Sequence, residues 1–198
     1  MTIERAHSIK HTCWRCKEPV GGPVCASCGA IQPPPPGADF FALFGLTRRH
    51  SLDLSAVEAA YRALSRQVHP DRFARKSAVE RRMSLQWTAT ANEARRVLKD
   101  PIARAYYLAT GSPRPKEEGG PQLDPAFLES VFELQMNARL DPEGVADAGA
   151  AMKAAAQAEL DAIFHAWESG DGDLSAVEER LARLKYIDNI LSAAQSAG

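Results

Sequence analysis

The chain has 198 residues, with 24 Lys and Arg against 25 Asp and Glu, and a net charge of −1 at pH 7. This balance gives no reason to expect nucleic acid or a membrane surface as a partner. The first twelve residues are polar and charged, and neither end carries a long apolar run. We therefore predict no signal peptide, no membrane span and a cytoplasmic location.

Proline-rich and turn-forming stretches divide the chain. Four successive prolines, Pro33 to Pro36, cannot form a helix and favour an extended spacer. Elsewhere apolar residues recur at helical spacing and strand signals are nearly absent, so the predicted fold class is all-α. The predicted regions are a cysteine module (1–32), a Pro-rich linker (33–38), a helical domain (39–112), a second linker (113–122) and a C-terminal helical bundle (123–198).

The middle segment predicts two long antiparallel helices joined by a loop that contains His69-Pro70-Asp71. Ser55 is the predicted N-cap of the first helix, with Glu58 as its capping-box partner. Pro70 ends that helix, because the residue before a proline is disfavoured in helical conformation. The apolar faces of the two helices consist of Val57, Tyr61, Leu64 and Val68, and of Met83, Trp87, Ala91, Ala94 and Leu98.

The loop presents an imidazole, a rigid proline and a carboxylate beside a basic surface. Arg62 and Arg66 lie one turn apart, opposite the apolar face of the first helix, and Arg72 follows the loop. Such a surface would attract an acidic protein partner. Taken alone, however, a His-Pro-Asp tripeptide recurs by chance and more often marks an ordinary turn with solvated arginines.

The tripeptide belongs to a longer match that consists of residues 39–46, 61–73, 92–94, 97–101 and 104–108. These stretches resemble the J-domain, and within that class the HscB-type co-chaperones of iron–sulfur cluster assembly. With the C-terminal segment, the resemblance covers residues 39–192. It implies that His69, Pro70 and Asp71 stimulate the ATPase of a DnaK-type, HscA-like heat-shock chaperone, with Arg62, Arg66 and Arg72 as electrostatic contacts. It also implies a co-chaperone that is not an enzyme.

The C-terminal segment shows apolar residues on more than one helix face. One stripe, suited to a core, consists of Phe127, Val131, Leu134 and Ala138; a second consists of Leu128, Phe132 and Met136. In the last helix, Tyr186 and Ile190 project away from the face formed by Leu174, Val177, Leu181, Leu184 and Leu191. Periodicity alone leaves open whether the second set is a binding patch or completes the core of a three-helix bundle.

The resemblance implies that this second set binds an IscU-like iron–sulfur scaffold protein. The matching positions are Leu128, Phe132 and Tyr186, with Glu133 as a polar contact. Glu129 and Met136 depart from the family pattern, which has Met and Glu at these places.

All four cysteines form two Cys-x-x-Cys pairs, separated by eight residues. Four thiolates at this spacing predict one closed structural Zn²⁺ site, with Cys13, Cys16, Cys25 and Cys28 as ligands. Iron in a rubredoxin-like site and a transient disulfide remain alternatives. The module also looks like the tetracysteine extension of some HscB-type proteins.

Two other functions stay open at this point. One is a general J-protein whose C-terminal helices bind another client or form a homodimer. The other is a redox or metal-delivery protein in which the cysteine module acts and the J-domain recruits a chaperone.

Overall fold

The computed structural model describes residues 11–113, 120–137 and 140–196. The start of the predicted cysteine module (1–10), part of the second predicted linker (114–119) and Ala138 of the core stripe lie outside the described residues. The chain forms two compact units, Met1–Arg104 and Ala105–Gly198. These two units do not test the limits of the five regions predicted from the sequence, which stay a prediction.

The first unit begins with a small hairpin and continues as helices. Strands β1 and β2 pair antiparallel, with Thr12 opposite Pro19, and they belong to the cysteine module. The elements are β1 (His11–Thr12), β2 (Pro19–Val20), α1 (Phe40–Leu43), α2 (Leu54–Val68), α3 (Pro70–Phe73), α4 (Ala78–Lys99) and α5 (Pro101–Thr110), of which α5 crosses into the second unit.

Helices α2 and α4 pack against each other and form the predicted hairpin. Helix α2 ends at Val68, directly before His69 and Pro70, as predicted. Helix α5 begins at Pro101. Gly111 follows α5 with φ +72°, the left-handed conformation that closes a helix. The core of this unit includes Phe40, Phe41, Phe44, Val57, Leu64, Val68, Trp87, Ala91, Ala94, Val97 and Leu98.

The predicted cap of α2 was wrong. The N-cap is Asp53, whose carboxylate accepts a hydrogen bond from the backbone N–H of Ser55 at 2.8 Å. The Ser55 hydroxyl also donates to Asp53, at 2.9 Å, so it serves the cap and is not the cap itself. A capping box occurs instead at α4, where Ser77 and Glu80 bond reciprocally.

Apart from the end of α5, the described part of the second unit is a three-helix bundle, as predicted. Its helices are α6 (Pro125–Asn137), α7 (Pro142–Ser169) and α8 (Val177–Ser196). Helices α7 and α8 approach closely where Gly149 faces Leu191, since a Cβ at this glycine would lie 2.6 Å from a Leu191 methyl carbon. The core includes Phe127, Val131, Val145, Ala156, Leu160, Phe164, Val177, Leu181, Leu184, Ile187 and Ile190.

Candidate functional site

The His-Pro-Asp loop lies at the surface, between α2 and α4. His69 ends α2 and also caps α3, because its Nδ1 accepts the backbone N–H of Asp71 at 3.3 Å. Pro70 occupies the first position of α3, where its missing N–H costs no hydrogen bond. The Asp71 side chain is 91% exposed, with its Oδ2 3.5 Å from His69 Nδ1. The loop therefore presents a carboxylate to solvent from a fixed backbone.

A groove of about 460 Å³ lies beside this loop. It brings together four of the residues predicted from sequence, namely His69, Arg62, Arg66 and Arg72, together with Tyr61 and Ser65, which the sequence analysis did not assign to the site. The spacing of Tyr61 and Ser65 could have indicated that they lie beside His69, because residues 61, 65 and 69 follow one another at i, i+4 and i+8 along α2 and its C-cap. Pro70 and Asp71 are not among the residues that line the groove.

Arg72 has a structural role as well. Its guanidinium donates to the carbonyl oxygen of Arg66 at 2.7 Å and to that of Gln67 at 3.3 Å. These carbonyls end α2 and have no partner within the helix. Arg72 therefore holds its charge in a fixed place beside the groove.

The hairpin that carries the loop is held by polar contacts between α2 and α4. The Ser84 hydroxyl donates to the carbonyl oxygen of Val68 at 2.6 Å, directly before the loop. Glu58 accepts from Arg95 at 2.8 Å and from Lys99 at 2.7 Å. Hydrogen bonds from Arg95 and Lys99 lower the pKa of Glu58 to about 2. Glu58 thus joins the two helices and is not the cap partner that the sequence analysis predicted.

In the second unit, apolar side chains of α6 and α8 face solvent. Leu128, Phe132 and Met136 on α6 are 41%, 61% and 63% exposed, and Tyr186 on α8 is 47% exposed. The two helices meet where the Arg183 guanidinium lies over the Phe127 ring, 5.1 Å from its centroid. We refer to Leu128, Phe132, Met136 and Tyr186 as the apolar patch.

Not every residue predicted for this surface belongs to it. Ile190 is only 4% exposed and lies in the core, so its predicted outward orientation was wrong. Helix α8 buries Ile187 and Ile190 as well as Leu181 and Leu184, a wider face than one helical stripe provides. Glu133, the predicted polar contact, is exposed beside Phe132.

The four cysteines converge on one point. Their sulfur atoms all lie within 4.8 Å of one another, and the Cys13–Cys28 and Cys16–Cys25 sulfur pairs are each separated by 3.7 Å. Four sulfurs arranged tetrahedrally about 2.3 Å from one Zn²⁺ would be about 3.8 Å apart. The cysteines therefore form a group that can hold one metal ion.

The thiols of this group cannot all ionise easily without a cation. Burial opposes the ionisation of Cys13, but hydrogen bonds from the backbone N–H groups of Cys16 and Arg15 lower its pKa to about 6. A backbone N–H favours the Cys16 thiolate, yet burial and the sulfurs of Cys28, Cys13 and Cys25 raise the pKa of Cys16 to about 12. A bound cation would relieve this repulsion between thiolates.

Several proteins that are named as HscB co-chaperones are similar in sequence to this chain. It is 46% identical to the co-chaperone protein HscB homolog of Bordetella petrii over 104 residues, 52% of this chain and 60% of that protein. It is 40% identical to the homolog of Bordetella avium over 156 residues, 77% of this chain and 92% of that protein. The iron-sulfur cluster co-chaperone protein HscB of Mus musculus is 32% identical over 193 residues, 92% of this chain and 81% of that protein.

Two solved structures share the fold. The crystal structure of human co-chaperone protein HscB matches with a TM-score of 0.72 and 28% identity, over 93% of this chain and 97% of that chain. Chaperone HscB from Vibrio cholerae matches with a TM-score of 0.59 and 28% identity, over 80% and 96%. No family model matches the chain.

The helical hairpin with its exposed His-Pro-Asp loop, followed by a three-helix bundle, defines a J-domain co-chaperone architecture. With the relatives above, the chain belongs to the HscB co-chaperone family. The resemblance stated from sequence is thereby confirmed. The matches to the Bordetella petrii and Bordetella pertussis relatives span only 60% and 66% of those proteins. Among the described residues, no helix combines the length and apolar content needed to cross a bilayer.

Proposed function

We propose that this chain is a co-chaperone that stimulates ATP hydrolysis by a DnaK-type, HscA-like chaperone and delivers an IscU-like iron–sulfur scaffold protein to it. The observation that carries the proposal is the exposed His69-Pro70-Asp71 loop beside a groove lined by three arginines. The name of the mouse relative, an iron-sulfur cluster co-chaperone, supports the client class.

The chaperone contact follows from the geometry of the loop. Arg62 and Arg66 face solvent from α2, and Arg72 adds a third fixed positive charge. An acidic chaperone surface is steered to these charges, and docking brings it against His69, Pro70 and Asp71. The chain supplies no catalytic group in this proposal; it changes the conformation of a partner that hydrolyses ATP.

The apolar patch is the proposed scaffold site, with Glu133 as a polar contact at its edge. Exposed large apolar side chains cost hydration free energy, and burying them against a partner recovers about 25 cal/mol per Å². Met136 gives the patch an adaptable side chain, because an unbranched thioether can repack against different surfaces. The exposure of Phe132 and Met136 is the feature that favours a partner for this face.

The cysteine group is proposed as a structural zinc site, with Cys13, Cys16, Cys25 and Cys28 as its ligands. The 3.7 Å sulfur separations fit a closed tetrahedron. Zinc would neutralise the thiolates and hold together a module with a very small core of its own, in which Cys13, Val20, Cys25 and Ala30 are buried. All four protein ligands are used, so this site leaves no open position for catalysis.

The test is the steady-state ATPase rate of the HscA-like chaperone from the same organism. It is measured alone, with this protein, with the scaffold, and with both. We expect this protein to stimulate the rate by itself, and the combination to exceed the sum of the two separate effects. A rate that the scaffold leaves unchanged would contradict the proposed client and leave a general J-protein.

Matched variants separate the apolar patch from general surface effects. Phe132→Ser should remove the scaffold-dependent increase and keep the stimulation by this protein alone. The control is Leu140→Ser, the same kind of change at a residue that is 86% exposed just beyond α6. The solution mass of both variants and of the parent chain would also reveal a homodimer formed through the patch.

A further inference from the structure

Gln32 lies at the point where the cysteine module meets the J-domain hairpin. Its side chain is buried within the module and satisfied there. The side-chain amide donates to the Cys13 sulfur at 3.3 Å and to the Ala30 carbonyl oxygen at 2.8 Å. Its oxygen accepts the backbone N–H of Trp14 at 3.2 Å. Gln32 thus contacts one metal-binding sulfur directly.

The backbone of the same residue is bound by the J-domain. The indole N–H of Trp87, a buried residue of α4, donates to the carbonyl oxygen of Gln32 at 2.7 Å. The indole N–H of Trp14 donates to the preceding carbonyl, that of Ile31, also at 2.7 Å. One tryptophan from the hairpin and one from between the cysteines therefore bind the carbonyl groups of two successive residues. We refer to these two residues, Ile31 and Gln32, as the strap.

We propose that Gln32 is a positioning residue that couples metal binding by the four cysteines to the packing of helix α4. Metal bound in the module stabilises the J-domain hairpin through the Gln32–Trp87 contact, and an intact hairpin strengthens metal binding. The inference rests on the proposed metal site and goes beyond it, because it assigns the site a role in holding the chaperone-activating domain.

The coupling has a direct physical cause. An N–H donated to a thiolate ligand orients that ligand and stabilises its charge, and such supporting bonds contribute to metal affinity. When the metal leaves, the four sulfurs lose the cation that holds them together, and the Gln32 side chain loses its fixed acceptor at Cys13. The Gln32 carbonyl then no longer has a set position opposite the buried indole of Trp87. Because linkage is reciprocal, weakening the indole contact must weaken metal binding as well.

A buried carboxylate on helix α4 provides a second interaction with the cysteine module. Glu80, in the first turn of α4, is buried, and its Oε1 has no hydrogen-bond partner among the described residues. The hydrogen bond from Ser77 lowers the pKa of Glu80, with smaller contributions from the charges of Arg15 and Lys76. Arg15 lies between the first two cysteines, so the charge of the module also acts on the helix that carries Trp87.

The test uses the whole chain with ¹⁵N-labelled indoles, loaded with Zn²⁺ and then stripped by a chelator under reducing conditions. NMR follows the solvent exchange of the indole N–H groups of Trp14, Trp87 and Trp167. We expect exchange at Trp14 and Trp87 to accelerate by at least about tenfold on metal removal. Trp167, in the second unit, is the internal control and should not change. An unchanged Trp87 signal would overturn the coupling.

Variants test the reciprocal effect on the metal. Trp87→Phe keeps an aromatic ring and removes the N–H, and we expect the zinc dissociation constant, measured by competition with a chelator, to rise about tenfold. Gln32→Leu should act in the same direction. The matched control is Tyr61→Phe, which removes the Tyr61–Asn92 hydrogen bond within the same hairpin and leaves the strap intact. Equal zinc dissociation constants for Trp87→Phe and Tyr61→Phe would refute the inference.

The outcomes also distinguish this inference from the proposed function. A chain that binds no metal would overturn both the zinc site and the coupling. A chain that binds zinc tightly and activates its chaperone, but whose Trp87 indole is indifferent to the metal, would overturn the coupling alone.

Discussion

Lys17 and Gly29 of the cysteine module adopt the same backbone conformation, which costs more conformational free energy at Lys17 than at Gly29. The N–H of Lys17 bonds to the Cys13 carbonyl at 3.0 Å, and that of Gly29 bonds to the Cys25 carbonyl at 2.9 Å. Both have positive φ, +66° at Lys17 and +69° at Gly29. Glycine takes this conformation freely, whereas a residue with a Cβ does not. The left-handed turn at Gly29 therefore recurs at Lys17, where it is strained.

Exchanging the residue type at these two turns should shift metal affinity in opposite directions. Lys17→Gly relieves strain and should tighten zinc binding, whereas Gly29→Ala introduces strain and should weaken it, each by about 1 kcal/mol. This corresponds to roughly fivefold in the dissociation constant. Competition with a zinc chelator measures both. A loss of affinity in both variants would show that the side chain of Lys17 matters more than its backbone.

At the scale of elements, helix α4 organises the first unit. One face buries Trp87, Ala91, Ala94 and Leu98. Its polar residues hold α2, through Ser84 at the loop and through Arg95 and Lys99 on Glu58. The position of the His-Pro-Asp loop therefore depends on the packing of this helix more than on the loop itself.

Two leucines on α4 test which face of this helix packs in the core. Leu98 is fully buried and Leu85 is 60% exposed. We expect Leu98→Ala to lower the free energy of unfolding by about 2–5 kcal/mol, because it leaves a cavity in the hairpin core. Leu85→Ala should change it by less than about 0.5 kcal/mol. Urea denaturation followed by circular dichroism measures both; similar values would contradict the assigned core face.

The elements also show what a sequence can and cannot predict. Periodic apolar residues and Pro70 were enough to place α2 and its end, since both signals are local. These signals did not identify the N-cap, because the side chain of either Asp53 or Ser55 can cap a helix and only the backbone geometry decides between them. Ile190 was misplaced for a different reason: how wide a face α8 buries depends on its neighbours in the bundle.

At the scale of the whole molecule, the net charge conceals a strong asymmetry. Residues 1–104 carry 17 Lys and Arg against 9 Asp and Glu, a net charge of +8. Residues 105–198 carry 7 against 16, a net charge of −9. The overall value of −1 therefore says little about either unit. The unit with the His-Pro-Asp loop is the basic one, which suits an acidic chaperone surface.

Salt should consequently affect the two partners differently. Raising the salt concentration from about 50 to about 500 mM screens the arginines beside the loop, and the association rate constant for the chaperone should fall by about tenfold or more. Binding of the scaffold through the apolar patch should change much less, because apolar burial is not screened. Stopped-flow fluorescence and calorimetry measure the two interactions. Equal salt dependence would argue against separate electrostatic and apolar sites.

The candidate sites differ in how far the sequence revealed them. The four cysteines lie within 16 residues of one another, so their spacing alone predicted a common site. The His-Pro-Asp tripeptide became informative only together with the sequence around it. The bond between Gln32 and Trp87 joins positions 55 residues apart and uses a backbone carbonyl, which carries no sequence signal. Only the packing of the module on α4 reveals it.

The most direct test of the co-chaperone function is single-turnover ATP hydrolysis by the cognate HscA-like chaperone, with the parent chain, His69→Gln and His165→Gln. His165 is an exposed histidine on α7 and serves as the matched control. We predict that the parent chain and His165→Gln accelerate hydrolysis equally, and that His69→Gln leaves it at the basal rate while keeping its helical circular dichroism. Full stimulation by His69→Gln, or none by the parent chain, would contradict the proposed trigger.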